Sequence, residues 1–244
     1  MEPDASLRRL ELQVGKHTVS YRQTGGGPRF LLVHGFAVGL TTWEEVVPQL
    51  SSDFTVILLD LPGYGDNFNV RVATEIGRMS MFLLDFIAAI GGVDYLLGYS
   101  YGGRVALEAA KHPPGALRKV IILSVPVFSR GPYRWLAPRV LLLLSKHHGP
   151  VMLVRRISAH PWLGKWLFFA AGVADFRGRA IQRCLYLMRQ ERIDRYAFRQ
   201  ISAIYSPLTG LPTITLPVDL IYGERDRLAK LSTARKMAAK LRRA

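Results

Sequence analysis

The chain has 244 residues, of which 49% are hydrophobic, and its 33 lysines and arginines against 18 aspartates and glutamates give a formal net charge of +15. This length suits a single large α/β unit, and the single cysteine, Cys184, excludes an internal disulfide and a thiolate metal cluster. The acidic start and the lack of any apolar run of roughly 18 residues argue against a signal peptide and a membrane span, so we expect a cytoplasmic protein.

Strands alternate with helices along the first half of the chain. Two β-like stretches, 7–14 and 17–23, flank Gly15-Lys16 and predict an opening hairpin. Short apolar runs of the kind found in buried parallel strands follow at 30–33, 56–59, 95–97 and 120–123. Helix-length segments occupy 74–90 and 101–112. The alternation predicts a mostly parallel sheet covered by helices on both faces.

The alternation stops after the first half and resumes with a strand at 218–222. The intervening segment, 129–212, has helical spacing interrupted by glycines and prolines, and we predict a helical lid inserted into a core made of 1–128 and 213–244. Fourteen basic residues and only three acidic ones place most of the positive charge in this lid. The last segment, 228–244, is predicted to be a basic helix with an apolar stripe.

The pentapeptide Gly98-Tyr99-Ser100-Tyr101-Gly102 has the form G-x-S-x-G and stands between a predicted strand and a predicted helix. In that context the pattern is typical of a sharp turn that pushes a serine out as a nucleophile, with glycines that let the strand and the helix approach each other. A glycine-rich turn without chemistry is the alternative. Because the strand and the helix are both predicted, we predict that Ser100 is a nucleophile.

Three further motifs follow predicted strands: His34-Gly35-Phe36, Asp60-Leu61-Pro62-Gly63-Tyr64-Gly65 and Gly223-Glu224-Arg225-Asp226. Together with the pentapeptide, which lies between the second and the third of them, these motifs follow one another along the chain as they do in the α/β-hydrolase fold family. The chain therefore resembles that family. The resemblance implies an oxyanion hole built from the backbone N–H groups of Phe36 and Tyr101, with His34 among the substrate-binding residues of the same loop. It also implies a triad in which Asp226 orients a histidine that activates Ser100. Neither a metal nor an organic cofactor is implied.

The histidine of the triad has no counterpart in the sequence. In the family it follows one more strand, whereas this chain holds no histidine after His160 and runs only to Ala244. We interpret the chain as truncated before the last strand and helix, and we expect little activity from it. The alternatives are a pseudo-hydrolase that binds a ligand or a membrane, and a rearranged site whose base is His147, His148 or His160 of the lid.

The lid and a second resemblance bear on the substrate. Tryptophans, leucines and phenylalanines in the lid favour an apolar acyl ester, and its arginines leave open an acidic head group or an anionic membrane surface. Nucleic acid is disfavoured because no binding motif is visible. Tyr99 and Arg104 also resemble the substrate-contacting residues of the menaquinone-pathway lyase of this fold, in which an arginine holds a carboxylate. We predict a serine hydrolase of carboxylic esters, with such a C–O lyase as the alternative.

Overall fold

The computed structural model describes residues 7–36, 38–127, 194–204, 206–226 and 228–244, together with five single positions between 143 and 160. Most of the predicted lid, 129–212, lies outside the described residues, and so do Cys184 and most of the lid arginines that leave an anionic membrane surface open as a partner. The division into core and lid therefore stays a prediction. No helix within the described ranges combines the length and the apolar character needed to cross a bilayer.

Seven strands of the described chain form one sheet in the order β1-β2-β4-β3-β5-β6-β7. Their bounds are Arg8–Val14 (β1), His17–Thr24 (β2), Arg29–Val33 (β3), Thr55–Leu59 (β4), Tyr95–Tyr99 (β5), Lys119–Leu123 (β6) and Val218–Ile221 (β7). β1 and β2 form an antiparallel hairpin, and β2 runs antiparallel to β4. The other neighbouring strands are parallel. The predicted hairpin and the mostly parallel sheet are confirmed.

The helices of the described chain are α1 (Val47–Leu50), α2 (Ile76–Ala89), α3 (Tyr101–Ala109), α4 (Arg195–Ile204) and α5 (Leu231–Ala238). Alternate side chains of a strand point to opposite faces of the sheet. The central strands are apolar throughout because both of these faces are buried. Leu31 and Val33 pack on one face, and Phe30 and Leu32 pack on the other. The first core includes residues of α2, α3 and α5, and the second includes Val47 of α1. Helices therefore cover both faces of the sheet, as predicted.

The C-terminal helix is shorter than predicted. The sequence predicts a helix over 228–244, but α5 ends at Ala238. The backbone O of Arg243 accepts a hydrogen bond from the N–H of Val218, the first residue of β7, at 2.8 Å. The chain thus leaves the helix to return to the edge of the sheet, and Leu241 stays buried against the core.

The parallel strands end together at one edge of the sheet. Val33 of β3 pairs with Leu59 of β4 on one side and with Gly98 of β5 on the other. Past the end of β5, the N–H of Ser100 donates to the O of Leu123 in β6 at 2.9 Å. Because the carboxyl ends of parallel strands meet at one edge, the loops after β3, β4, β5, β6 and β7 lie there side by side.

Candidate active site

Ser100 lies in a sharp turn between the last residue of β5 and the first residue of α3. Its backbone has a φ of 51° and a ψ of −112°. Among the described residues, Ser124, with a φ of 49°, is the only other non-glycine residue at positive φ. An L-residue held in such a conformation costs about 1–3 kcal/mol, which the surrounding contacts must offset. Ser100 therefore has the strand, turn and helix that the pentapeptide predicts.

Three glycines make this turn possible. A Cβ atom on Gly98 would lie 2.5 Å from the O of Gly102, and a Cβ on Gly102 would lie 2.4 Å from the O of His34. A Cβ on Gly103 would lie 2.3 Å from Cγ2 of Val125, just beyond the end of β6. Atoms cannot approach this closely without a shift of the backbone or of a packed side chain. Strand β5, helix α3 and the loop after β3 therefore meet only because these positions lack side chains.

The loop after β3 lies against the Ser100 turn. A Cβ on Gly35 would be 2.9 Å from Cδ1 of Tyr99 and 3.3 Å from Cβ of Ser100, so the loop and the turn are in contact. Phe36 is the next residue of this loop, and Tyr101 is the next residue after the nucleophile. The structure thus brings together the two segments that carry the predicted oxyanion N–H groups.

His34 is enclosed at the base of this loop and has no exposed surface. Its Nε2 accepts a hydrogen bond from the N–H of Leu61 at 2.9 Å, so the ring proton sits on Nδ1, which donates to the O of Gly35 at 2.6 Å. Burial lowers the pKa of His34, and the nearby Asp60 carboxylate opposes that shift. The ring, predicted among the substrate-binding residues, thus joins two loops. In this structure neither ring nitrogen is available to a substrate or to Ser100.

Two further buried polar side chains, Asp60 and Asn67, support the same loop, and the sequence analysis assigns neither a role. Oδ1 of Asp60 accepts the N–H of Leu40 at 2.7 Å, and Oδ2 accepts the N–H of Asp66 at 3.0 Å. The side-chain amide of Asn67 donates to the O of Asp60 at 2.7 Å and to the O of Ser20 at 2.8 Å, and its Oδ1 accepts the N–H of Ser20 at 2.8 Å. The loop after β3, the loop after β4 and strand β2 therefore form one hydrogen-bonded unit.

Asp226 lies in the loop after β7, at the same edge of the sheet as Ser100. Strand β6 lies between β5 and β7, which separates the axes of those two strands by about 10 Å. Oδ1 of Asp226 accepts the N–H groups of Leu228 and Ala229 at 2.9 and 2.8 Å, so this oxygen shapes the loop. In a Ser-His-Asp triad an imidazole lies between the carboxylate and the serine hydroxyl.

No described histidine occupies that place. The described histidines are His17, His34, His112 and His160. None of them makes a hydrogen bond to the side chain of Ser100 or Asp226 within the part of the chain that the structure describes. The candidate bases His147 and His148 lie outside the described residues.

The model of the Alpha/beta hydrolase family matches residues 30–244, a range that includes the loop after β3, the Ser100 turn and the loop that carries Asp226. The chain belongs to the alpha/beta hydrolase family. The family and the fold class predicted from the motifs are therefore confirmed.

Similar proteins include esterases. A pimeloyl-[acyl-carrier protein] methyl ester esterase of Aeromonas hydrophila is 37% identical over 127 residues, which are 51% of this chain and 49% of that protein. A 2-succinyl-6-hydroxy-2,4-cyclohexadiene-1-carboxylate synthase of Enterobacter sp. is 36% identical over 98 residues, 39% of this chain and 37% of that protein. The crystal structure of a bacterial membrane phospholipase A matches with a TM-score of 0.71 at 26% identity, covering 98% of this chain and 77% of that one. The chain spans about half or less of these two curated relatives.

Tyr99 and Arg104, which are predicted to contact substrate, both contact other side chains or backbone groups of the protein. The ring of Tyr99 meets the ring of Trp43 edge-on at 6.4 Å. Arg104 is 2% exposed, and its Nη2 donates to the O and the Oγ of Ser206 at 2.6 and 2.7 Å. Burial lowers the pKa of Arg104 to about 10, while Glu108 opposes the shift. Ser206 thus takes both protons of Nη2, and the guanidinium is held inside the protein.

Helix α4 packs onto the segment between β4 and α2 through contacts that no sequence motif predicts. The OH of Tyr196 accepts the N–H of Val72 at 3.0 Å, and its ring lies 2.6 Å from the place of a Cβ on Gly63. Nε2 of Gln200 donates to the O of Pro62 at 2.7 Å. These two hydrogen bonds join residues 124 and 138 positions apart in the chain, so no local pattern in the sequence could indicate them.

Proposed function

We propose that the protein is a carboxylic-ester hydrolase in which Ser100 is the nucleophile. The observation that carries the proposal is the Ser100 turn, a serine at a φ of 51° confined by glycines and in contact with the loop after β3. Backbone strain of this kind concentrates at functional sites, and a serine at a strand-to-helix turn is presented to an incoming carbonyl. The esterase among the relatives supports the same class of reaction.

In the proposed reaction, Oγ of Ser100 attacks the ester carbonyl carbon while a histidine takes the hydroxyl proton. The N–H groups of Phe36 and Tyr101 hold the oxygen that becomes negative, and as fixed backbone donors they need no rearrangement while the charge develops. Asp226 accepts the other N–H of the imidazole, which sets its tautomer and stabilises the imidazolium. The imidazolium then protonates the leaving alcohol, and a water molecule releases the acid from Ser100. None of the described histidines is hydrogen-bonded to Ser100 or Asp226, and His147, His148 and His160 of the predicted lid stay alternatives for the base.

The proposed substrate is a small or medium ester with an apolar acyl chain. The Aeromonas hydrophila relative is named for the methyl ester of a pimeloyl group on acyl carrier protein. Methyl esters are therefore the first natural substrates to test, both free and attached to a carrier. The net charge of +15 suits substrates or carriers with acidic groups, because opposite charge speeds association.

Rescue by free imidazole tests the proposal in the 244-residue chain. The chain is assayed with p-nitrophenyl butyrate while the imidazole concentration is raised. We expect low activity without imidazole, and a rise of at least about tenfold with it, because a free imidazole enters the gap between Ser100 and Asp226 and acts as the base. The rise should follow the neutral fraction of imidazole as the pH is varied.

Two serine variants show whether Ser100 is responsible for the imidazole-dependent hydrolysis. Ser100→Ala should remove the imidazole-dependent rate above the background without protein. Ser124→Ala, which changes a serine at positive φ beyond the next strand, should retain it. An unchanged rate in Ser100→Ala contradicts the proposal. High activity without imidazole that disappears in a His147→Gln/His148→Gln variant assigns the base to the lid.

A C–O lyase that acts on an acidic substrate is the second candidate function, and the match at 36% identity to the Enterobacter synthase favours it. The burial of Arg104 and its contacts with Ser206 weigh against it, since they hold the guanidinium inside the protein. Release of pyruvate from the menaquinone-pathway intermediate, and its loss in Arg104→Ala, would establish the lyase. Ester hydrolysis without pyruvate release would exclude it.

A further inference from the structure

The side chain of Gln200, on helix α4, is entirely buried. Its Nε2 donates to the backbone O of Pro62, in the loop after β4, at 2.7 Å. Because a carbonyl oxygen can only accept, this contact decides which end of the amide faces the loop. Helix α4 lies within the range predicted as the lid, 129–212. Gln200 therefore ties that range to a loop at the carboxyl edge of the sheet.

The backbone next to this contact is stiff. The ring of Pro62 fixes its own φ, and it also restricts the conformation of the preceding residue, Leu61. Leu61 is buried in the hydrophobic core as well. Few torsions between the two residues are free to absorb a displacement. A shift of the Pro62 carbonyl therefore moves the backbone of Leu61 with it.

From Leu61 the contact continues to the loop after β3. The N–H of Leu61 donates to Nε2 of His34 at 2.9 Å, and Nδ1 of His34 donates to the O of Gly35 at 2.6 Å. The rigid imidazole thus connects the loop after β4 to a single peptide group. That group joins Gly35 to Phe36, and it carries the N–H that holds the oxyanion in the proposed reaction.

The hydrogen bond to Gly35 sets the direction of the Phe36 N–H. A peptide group is planar, and in its trans form the N–H points opposite to the C=O. The described chain has no cis peptide bond. Because the C=O of Gly35 is held towards the buried imidazole, the N–H of Phe36 is directed away from it. A Cβ on Gly35 would lie 3.3 Å from Cβ of Ser100, so a rotation of this peptide group occurs beside the nucleophile.

We propose that Gln200 is a positioning residue for the oxyanion hole. Through the loop after β4 and the imidazole of His34, it holds the peptide group whose N–H receives the oxyanion. The three hydrogen bonds of this connection are each shorter than 3.0 Å and lie in the protein interior. Hydrogen bonds are stronger in such surroundings than in water. The role in catalysis rests on the proposed function, whereas the link from α4 to His34 does not.

Tyr196 supplies a matched control, because it lies one helical turn before Gln200 on the same face of α4. Its OH accepts the N–H of Val72 at 3.0 Å, further along the chain towards α2. Gln200→Met keeps the length of the side chain and removes the donor, and Tyr196→Phe removes the acceptor. Each variant loses one hydrogen bond between α4 and the segment that joins β4 to α2. Only the bond of Gln200 lies on the connection to His34.

A thionoester probes the oxyanion hole in these variants. Each chain is assayed with free imidazole on p-nitrophenyl butyrate and on its thiono analogue, whose C=S sulfur is a weak hydrogen-bond acceptor. The ratio of the two rates reports the oxyanion donors and does not depend on the fraction of folded chain. We expect Gln200→Met to lower this ratio at least about fivefold and Tyr196→Phe to change it less than about twofold, because only the first displaces a donor.

NMR of the histidine ring tests the link without any reaction. In a chain labelled with ¹⁵N-histidine, the Nδ1–H of His34 is followed as a proton in a buried hydrogen bond, and its absence from His34→Gln identifies it. We expect its chemical shift to change in Gln200→Met and to stay the same in Tyr196→Phe. Thermal unfolding verifies that both variants fold. Gln200→Leu replaces Gln200→Met if the latter does not.

The outcomes separate the link from the reaction. An unchanged rate ratio in Gln200→Met, or an equal fall in Tyr196→Phe, overturns the role of Gln200 in positioning the oxyanion hole. An unchanged resonance of His34 overturns the link itself. If no hydrolysis depends on Ser100 while the resonance responds to Gln200→Met alone, the proposed function is wrong and the link from α4 to His34 stands.

Discussion

The backbone N–H of Leu61 donates a hydrogen bond to Nε2 of His34 at 2.9 Å, inside the protein. The bond fastens the loop after β3 to the loop after β4. A protonated ring could not accept it, because both nitrogens of an imidazolium are donors. The placement of Phe36, two residues further on and the proposed oxyanion donor, therefore depends on a neutral imidazole at His34.

We expect the free energy of unfolding to fall as the pH drops below 6.5, the ordinary pKa of histidine. Burial lowers the pKa of His34 in the folded state, so below pH 6.5 the unfolded chain takes up a proton that the folded chain does not. Asp60 acts in the opposite direction, because burial raises its pKa and the folded chain takes up that proton before the unfolded chain does. Urea unfolding at a series of pH values measures the slope.

The variant His34→Gln isolates this contribution. It should be less stable than the parent by about 2 kcal/mol at neutral pH, because a buried N–H loses a well-placed acceptor. Its stability should also change less between neutral and mildly acidic pH. Identical pH slopes in the variant and the parent would assign the titration to other groups.

Asn67 should be one of the most sensitive polar positions in the core. Asn67→Ala removes three hydrogen bonds and leaves buried backbone groups of Ser20 and Asp60 without them, so we expect a loss of about 2–4 kcal/mol. Asn69 is exposed, and Asn69→Ala should change the free energy of unfolding by less than about 0.5 kcal/mol. Similar values for the two variants, measured by urea unfolding, would show that the Asn67 bonds contribute little.

Replacing Ser100 by glycine should stabilise the protein. Glycine adopts positive φ without strain, whereas alanine keeps the strain. We therefore expect the free energy of unfolding of Ser100→Gly to be about 1 kcal/mol higher than that of Ser100→Ala. Ser124→Gly and Ser124→Ala form a matched pair at a φ of 49°. They should show the same difference in stability, but only the Ser100 pair should lose the imidazole-dependent activity. If glycine and alanine are equally stable at both positions, the turns are not strained.

Tyr101 and Tyr196 should respond in opposite ways to loss of the hydroxyl. The hydroxyl of Tyr101 is buried and has no hydrogen-bond partner among the described residues, so Tyr101→Phe should be as stable as the parent or more stable by up to about 1 kcal/mol. The hydroxyl of Tyr196 accepts the N–H of Val72, and Tyr196→Phe should cost about 1 kcal/mol. Thermal and urea unfolding compare the two. A large loss in Tyr101→Phe would mean that its hydroxyl has a partner after all.

The sheet and the Ser100 turn could be predicted because their causes are local in the chain. A parallel strand buried on both faces must be apolar throughout, and Phe30 to Val33 shows that pattern. The turn needs glycines on both sides of Ser100, and the pentapeptide provides them. The end of α5 at Ala238 was missed because a helix-like sequence continues while the chain already turns back towards Val218.

The surroundings of the site could not be predicted because they depend on contacts between distant segments. The ion pair of Arg71 with Asp194 joins residues 123 positions apart. A motif places His34 near the Ser100 turn. Only the packed structure shows that its ring is enclosed and that both ring nitrogens are hydrogen-bonded. The contacts of Arg104 could not be predicted either, because the residue type alone does not indicate whether the guanidinium faces a substrate or a backbone carbonyl.

The identity of the nucleophile is the central claim, and mass spectrometry of the labelled chain tests it most directly. The 244-residue chain is incubated with an alkyl fluorophosphonate in the presence of imidazole, digested with trypsin and sequenced. We predict one phosphonyl group on Ser100 in the peptide that ends at Arg104, no label on Ser124, and no label in Ser100→Ala. An unlabelled Ser100, or equal labelling of Ser100 and Ser124, would contradict the account.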